Sequence, residues 1–282
     1  MFSGGFVVRN RLIILVQTFR NTARYLTKSK HYGTLLHKLF ERFTEIGRDE
    51  SRISTSWALD NVSSLSDWLE VLDKTIWQET IEATSQIRLQ CEQSLLPLRK
   101  EGLELGGGGA IELLYFMTRL TKPETILETG VAAGWSSYAF LSAMKENGLG
   151  TLLSSDLPYF RIRDPERYVG IVVPQSLRSS NWVLMLNGDR KNLKSFLDER
   201  IEINLTHYDS DKRKIARRQF FKMMEHNLAK DSILIMDDIQ NNLAFKEHVE
   251  SNQLKYRVIE SEGKFVGIIL KGKYALNGFV IS

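Results

Sequence analysis

The chain has 282 residues, of which 43% are hydrophobic and 26% charged, values typical of a globular protein and unlike those of a disordered or fibrous one. The single cysteine, Cys91, excludes an intramolecular disulfide and a thiolate metal cluster, so a reducing cytoplasm is the natural expectation. The formal net charge of +4 is concentrated at the start, because residues 1–40 carry seven basic and no acidic side chains.

This basic segment, residues 1–40, has no apolar run of the ~20 residues that a membrane-spanning helix needs. Its charge can bind anionic lipid headgroups or an acidic partner, which predicts peripheral membrane contact as one role. An arginine-rich start without acidic residues is also typical of an organelle transit peptide, and a solvated helix face is the third interpretation.

Residues 1–105 are predicted to form a helical N-terminal region. Apolar side chains recur at helical spacing over residues 35–43 and again over 68–76. Ser64 is expected to cap the second of these helices by accepting a hydrogen bond from a free backbone N–H. The segment 46–63 is rich in Ser, Asp and Arg, and we predict a loop there.

Beyond a four-glycine run, residues 106–282 are predicted to form a second domain. Short apolar runs alternate there with amphipathic segments, which predicts a Rossmann-like α/β fold with a doubly wound, mostly parallel sheet of seven strands. The last two runs are too close for a crossover, so the last strand is expected to be antiparallel. The predicted strands are Thr125–Glu128, Gly150–Ser155, Trp182–Leu186, Ile201–Tyr208, Ile233–Met236, Tyr256–Glu260 and Phe265–Leu270, and the predicted helices are 110–120, 136–146, 191–199, 212–228 and 243–251.

A glycine-containing loop follows the first of these strands. Glycine allows a backbone to approach a ligand closely, and Gly130 and Gly134 stand between Glu128 and a helix expected near Ser136. Ligands bind beyond the carboxyl ends of strands in such sheets. The spacing Glu-x-Gly-x-x-x-Gly lacks the third glycine of a dinucleotide loop, which argues against a nicotinamide-dependent oxidoreductase.

The stretch Ile126–Ser136 resembles the first motif of class I methyltransferases that use S-adenosylmethionine (SAM). Residues 107–130 also resemble the lead-in of the catechol and caffeoyl-CoA O-methyltransferases. The resemblance implies that Gly130 and Gly134 lie against the methionine part of SAM, that Glu128 supports the loop and that Ser136 binds the SAM carboxylate.

Two further carboxylates stand at the next strand ends. Asp156 ends the second strand, and a carboxylate can accept hydrogen bonds from both ribose hydroxyls. Asp189 follows the third strand at the position where the family contacts the adenine ring. Both residues are therefore predicted to bind the methyl donor.

An acidic group follows the fourth and fifth strands. Asp209, Asp237 and Asp238 are expected to meet at one edge of the sheet, where a shared cation would relieve their repulsion. Oxygen ligands favour Mg²⁺ or Ca²⁺, and such an ion would lower the pKa of an acceptor hydroxyl. Simple solvation of the strand ends is the alternative.

The same stretch extends the resemblance to metal-dependent O-methyltransferases. Asp209-Ser210-Asp211-Lys212 is similar to their Asp-x-x-Lys, while Asp237-Asp238 departs from their Asp-Asn pair and agrees with the macrocin-type sugar O-methyltransferases. The resemblance implies that Lys212 is a general base whose pKa the nearby cation lowers. His207 is a second catalytic candidate, with a buried strand histidine as the alternative.

These observations predict a SAM-dependent O-methyltransferase that acts on a small-molecule or glycan hydroxyl with a divalent cation. A non-catalytic scaffold that binds a membrane or partner through residues 1–40 is the alternative from another class. Nucleic acid is not expected, because no stacking platform or base-flipping signature is present. Acceptor pockets in such enzymes are built from N-terminal segments and inserted loops, which are residues 1–105 and 157–181 here. The sequence of these two segments does not identify a substrate, and the oligomeric state cannot be inferred from the sequence.

Overall fold

The computed structural model describes residues 48–159, 162–197, 201–276 and 279. The predicted helix over 35–43 and the basic segment, residues 1–40, lie outside the described residues. Among the helices that are described, none is both long enough and apolar enough to cross a bilayer.

Eight strands of the described chain form one mixed sheet. In chain order they are β1 (Val62–Ser63), β2 (Thr125–Thr129), β3 (Thr151–Ser155), β4 (Trp182–Met185), β5 (Ile203–Tyr208), β6 (Leu228–Met236), β7 (Lys255–Ser261) and β8 (Lys264–Leu270). They lie in the order β1-β7-β8-β6-β5-β2-β3-β4, and only β8 runs antiparallel to its neighbours. The predicted Rossmann-like fold is confirmed.

Helices cover both faces of the sheet. They are α1 (Arg48–Asn61), α2 (Leu65–Leu72), α3 (Lys74–Lys100), α4 (Ile111–Thr121), α5 (Trp135–Asn147), α6 (Asp189–Leu197), α7 (Lys214–Met224) and α8 (Ala244–Ser251). Apolar side chains of α2 to α5 pack in the core on one face, and those of α1 and α6 to α8 pack on the other. The inner strands are therefore largely buried, as expected for a sheet that is covered on both sides.

Two predicted local signals are confirmed. Ser64 Oγ accepts a hydrogen bond from the backbone N–H of Asp67 at 3.3 Å, which caps the start of α2. The last two strands form a hairpin whose turn residues, Glu262 and Gly263, both have positive φ angles of 52° and 74°. Two-residue turns of this kind match the right-handed twist of the strands.

The prediction of a loop over residues 46–63 is wrong, because α1 occupies most of it. The side chain of Ser54 donates to the backbone oxygens of Ile239 and Asn242 at 2.9 and 3.0 Å, and Ala58 is fully buried in the core. Ile239 and Asn242 lie more than 180 residues from Ser54 in the sequence. Tertiary packing therefore makes a helix from a sequence of modest helix propensity.

The prediction of seven strands is corrected to eight, because residues 62–63 of the N-terminal region join the sheet as β1. Val62 and Ser63 pair in parallel with Val258 and Ile259 of β7. The region 1–105 is thus not wholly helical, and its described part packs into the same core as the rest of the chain. A two-residue strand is too short for periodicity to reveal.

The boundary between α7 and β6 also differs from the prediction. The helix ends at Met224 rather than at 228, and β6 begins at Leu228 rather than at Ile233. Leu228 pairs with Ile203 of β5. The N–H of Ile203 donates to the backbone oxygen of Asn227 at 2.8 Å. This pairing extends β6 across polar residues that the apolar pattern does not include.

Candidate active site

The glycine loop, residues 130–134, joins β2 to α5 at the carboxyl end of the sheet. Gly130 has a φ angle of 87°, and a Cβ atom on it would lie 2.5 Å from the backbone oxygen of Asp209. Asp209 also donates its N–H to the backbone oxygen of Thr129 at 2.9 Å. Glycine is required here because the loop packs directly on the residue that follows β5.

The connection after β3 covers the other end of the same loop. A Cβ atom on Gly134 would lie 2.7 Å from the Cα atom of Gly170. The N–H groups of Gly170 and Val172 donate to the backbone oxygens of Ala132 and Ala133 at 2.9 and 3.0 Å. The described part of the 157–181 insertion is therefore hydrogen-bonded to the glycine loop and braces it.

Glu128 lies beneath the loop and is fully buried. Its carboxylate accepts hydrogen bonds from the hydroxyls of Ser136 at 2.5 Å, Ser137 at 2.6 Å and Ser154 at 2.7 Å. These three donors satisfy a buried charge that would otherwise be costly. The arrangement agrees with the predicted supporting role of Glu128. Ser136 donates its one hydroxyl hydrogen to Glu128 here, so its contact with SAM stays a prediction.

Asp156 lies directly against the glycine loop. Its carboxylate accepts from the N–H of Ala132 at 2.7 Å and from that of Leu157 at 2.6 Å. Burial raises the pKa of Asp156 to about 6, although both hydrogen bonds oppose the shift and the charges of Asp189 and Glu128 add to it. The predicted ribose-binding carboxylate thus sits beside the glycine loop, with a pKa raised by its burial.

Asp189, the predicted adenine contact, is the first residue of α6. Its carboxylate accepts a hydrogen bond from the hydroxyl of Ser155 at 2.7 Å, and the side-chain amide of Asn192 donates to the same hydroxyl at 2.9 Å. Asp189 therefore lies at the carboxyl ends of β3 and β4, on the same edge of the sheet as Asp156.

Lys212 connects two of the predicted acidic residues. Its ammonium group contacts the carboxylates of Asp209 and Asp238, the latter at 2.9 Å. Burial lowers the pKa of Lys212, but the attraction of the two carboxylates outweighs it, so the pKa lies above its usual value. The predicted lowering requires a cation that takes over these carboxylates, and it stays a prediction.

Asp237 is buried beside His207. The Nε2 atom of His207 lies 3.3 Å from Oδ1 of Asp237, a distance at which the groups attract although Oδ1 lacks hydrogen-bond geometry to any described residue. Burial lowers the pKa of His207, but the attraction of Asp237 together with the charges of Asp209 and Glu128 outweighs it, so the pKa lies above its usual value. Only 3% of the His207 side chain is exposed, compared with 31% for Lys212. His207 therefore sits as a buried strand histidine, the alternative considered above.

The carboxylate cluster, defined as Asp209, Asp237 and Asp238, lies at the carboxyl ends of β5 and β6, where Lys212 contacts Asp209 and Asp238 and His207 lies beside Asp237. Burial raises the pKa of Asp209, and the charge of Asp237 adds to the shift, while Lys212 and His207 oppose it. Among the described residues, no group of three or more acidic, histidine or cysteine side chains is arranged to hold a metal ion. Lys212 is the cation that the described structure shows between two members of the cluster.

Arg217 is a buried cation of the site. It stands in a run of basic residues after Lys212, a pattern typical of a solvated helix face, yet it is fully buried and donates to the backbone oxygens of both Asp237 and Asp238. Its position three and four residues before the buried pair Phe220 and Phe221 is the signal that marks it as core-facing.

The four-glycine run and Tyr159 also belong to the site, although neither was singled out from the sequence. The Tyr159 hydroxyl donates to the backbone oxygen of Leu105 at 3.2 Å, and the run ends at Gly109, where a Cβ atom would lie 2.9 Å from Oδ2 of Asp237. Burial raises the pKa of Tyr159 to about 12, with added effects from Asp156 and Asp209. The chain that leads into α4 therefore passes against Tyr159 and, at Gly109, against the carboxylate cluster.

Comparisons with known proteins agree with this geometry. Residues 127–239 match a family described as "Methyltransferase domain". Two solved structures share the fold. An O-methyltransferase from Bacillus cereus, in complex with SAH, is 14% identical with a TM-score of 0.51, and the match covers 64% of this chain and 90% of that one. The O-methyltransferase TomG from Streptomyces achromogenes, which is involved in tomaymycin synthesis and is in complex with SAM, is 16% identical with a TM-score of 0.52, and the match covers 68% and 90%. No protein of curated function matches the sequence.

The match of residues 127–239 to a methyltransferase domain spans the glycine loop and the strands β3 to β6 of the Rossmann-like sheet. It agrees with the resemblance of Ile126–Ser136 to the class I methyltransferases that use SAM. The alternatives of a nicotinamide-dependent oxidoreductase and of a non-catalytic scaffold are not favoured by these findings.

Proposed function

We propose that the chain transfers the methyl group of SAM to a hydroxyl oxygen of a sugar or another small-molecule diol. The observation that carries this proposal is the contact of Lys212 with Asp209 and Asp238, next to the loop that is expected to hold the donor. The acceptor oxygen attacks the sulfonium methyl carbon, the carbon–sulfur bond breaks, and S-adenosylhomocysteine leaves. The hydroxyl proton needs an acceptor, and the neutral amine of Lys212 is the partly exposed group at this position that can take it.

A divalent cation, Mg²⁺ or Ca²⁺, forms part of the proposal. The carboxylate cluster offers only oxygen ligands, and Oδ1 of Asp237 is buried without a hydrogen-bond donor among the described residues, so the donor set fits a hard cation. Asp209, Asp237 and Asp238 would hold the ion after Lys212 leaves the two carboxylates it now contacts. When bound, the ion would supply the charge that lowers the pKa of the acceptor hydroxyl.

Calorimetric titration with SAM, followed by assay of S-adenosylhomocysteine release, tests the proposal. The acceptors are 3,4-dihydroxybenzoate as a catechol and a nucleotide-linked hexose as a sugar, each with added Mg²⁺ or with EDTA. We expect SAM binding without metal, and product release with at least one acceptor that EDTA reduces by more than tenfold. If SAM bound under neither condition, the proposal that the chain is an enzyme would be refuted. If EDTA left turnover unchanged, the proposed role of the cation would be refuted.

Asp209→Asn makes the same test specific to the cluster. Asp211→Asn is the matched control, because Asp211 has its carboxylate bonded to Arg213 at 2.7 Å rather than to Lys212. We expect the change at Asp209 to lower the turnover number by ~10²-fold or more, and the change at Asp211 to leave it within a few-fold. Equal effects of the two changes would contradict the assigned role of Asp209.

The pH dependence of SAM binding tests the predicted ribose contact. An ionised Asp156 accepts two ribose hydrogen bonds better than its protonated form, and its pKa is about 6. The ionised fraction therefore rises about tenfold between pH 5 and pH 7, and we expect SAM affinity to rise by about that factor. Asp156→Asn should bind SAM more weakly and without this pH dependence. A wild-type affinity that stays constant from pH 5 to pH 7 would refute the contact.

A further inference from the structure

Arg217 is a fully buried cation without a salt bridge to a carboxylate among the described residues. Its Nη2 atom donates to the backbone oxygens of Asp237 and Asp238, both at 2.9 Å, while Nε and Nη1 have no partner within the described chain. Burying a charge in this way is costly, and a well-packed apolar side chain would serve stability at least as well. The cost points to a role other than packing.

The two carbonyl groups that Arg217 holds belong to a strained turn. Asp238 has a φ angle of 55°, in the left-handed region that residues other than glycine rarely adopt. The turn sends the carboxylate of Asp237 toward His207 and that of Asp238 toward Lys212. One guanidinium nitrogen that binds the carbonyl oxygens of both aspartates fixes the backbone from which the two carboxylates extend.

The same helix also positions Lys212. Arg217 lies on α7, which begins at Lys214, two residues after Lys212. A second tie is made by Asn242, whose side-chain amide donates to the backbone oxygen of Lys212 at 2.7 Å. The segment after β5 and the segment after β6 are thus joined by hydrogen bonds in both directions, so the backbone at Lys212 and the backbone at Asp238 are tied to each other.

We propose that Arg217 is a positioning residue that holds the Asp237–Asp238 turn, and with it the carboxylate cluster, in the geometry that methyl transfer requires. The proposal rests on the proposed function for its effect on rate. Its local effect on the turn is independent of the acceptor. Arg217 is too deeply buried to touch an acceptor, and it acts through the two backbone oxygens.

The test compares Arg217→Met, which keeps the volume and removes the donors, with Arg217→Lys, which keeps the charge. Arg218→Met is the matched control, since Arg218 is the adjacent residue but is 60% exposed and paired with Glu247. For Arg217→Met we expect a 10- to 100-fold loss of the turnover number, with SAM affinity within threefold of wild type. Arg217→Lys should recover part of that loss, and Arg218→Met should show no loss.

Hydrogen exchange measured by mass spectrometry supplies a readout that needs no acceptor. For Arg217→Met we expect exchange over residues 236–242 to accelerate at least tenfold, with little change in the strands on either side. Unchanged exchange at the turn, or an acceleration spread evenly over the whole chain, would overturn the positioning role. If wild type releases no S-adenosylhomocysteine, the proposed function fails, while local exchange still decides the role of Arg217. If Arg217→Met does not fold, hydrogen exchange over residues 236–242 in Arg217→Lys tests the positioning role instead.

Discussion

We expect Lys212→Met to lower the turnover number by ~10²- to 10⁴-fold while SAM affinity stays within a few-fold of wild type. The change removes the proposed proton acceptor and the cation between Asp209 and Asp238. Because these carboxylates hold the pKa of Lys212 above its usual value when no metal is bound, the neutral amine is then a minor form near neutral pH. The wild-type rate in EDTA should therefore rise with pH into the alkaline range, and the variant should lose that rise. Initial rates from pH 6 to pH 10 measure both effects.

Lys214→Met is the control for this experiment. Lys214 stands two residues away and also contacts two carboxylates, those of Glu50 and Glu247, each at 2.7 Å. Its loss removes ion pairs of similar kind outside the carboxylate cluster. We expect this variant to keep its turnover number within threefold. A pH–rate profile of Lys212→Met that matches wild type would refute the proposed base.

The second large effect is expected for Gly130→Ala. The added methyl group must either lie 2.5 Å from the backbone oxygen of Asp209 or push the glycine loop away from β5. The left-handed backbone of Gly130 adds strain of its own, of order 1 kcal/mol. We expect SAM affinity to fall ~10²-fold and the free energy of unfolding to fall by about 3 kcal/mol. Calorimetry and urea denaturation measure the two quantities.

Gly263→Ala separates strain from crowding. Gly263 also has a positive φ angle, 74°, but a Cβ atom there would meet no atom within 4 Å. This variant should therefore lose only about 1 kcal/mol in the free energy of unfolding and should keep its SAM affinity. If the two alanine variants lost the same amount of stability and affinity, the close approach of Gly130 to Asp209 would have no functional importance.

The sheet could be predicted because its signals are local. Strands contain short apolar runs, and β2, β3, β4, β7 and β8 begin and end within one residue of the prediction. The positions of Asp209, Asp237 and Asp238 at strand ends were predictable in the same way, and the order of the sheet makes the carboxyl ends of β5 and β6 neighbours.

Other features depend on contacts that are distant in sequence. The helix α1 is held by Ser54, which binds backbone atoms 185 and 188 residues away, and no pattern within 46–63 contains that information. The brace between Gly170 and the glycine loop likewise depends on two segments meeting only after folding. Arg217 was obscured by its basic neighbours, although its spacing to Phe220 was visible.

The two-residue strand β1 has a consequence for how the chain behaves in solution. Val62 and Ser63 cover the outer edge of β7, and Ser63 Oγ adds a hydrogen bond to the backbone oxygen of Val258 at 3.2 Å. A protein cut at residue 105, at the end of the N-terminal region, would leave Val258 and Ile259 with unpaired backbone groups at an open sheet edge. Open edges of this kind pair with strands of other molecules. The short strand thus protects this edge of the sheet from pairing with another molecule.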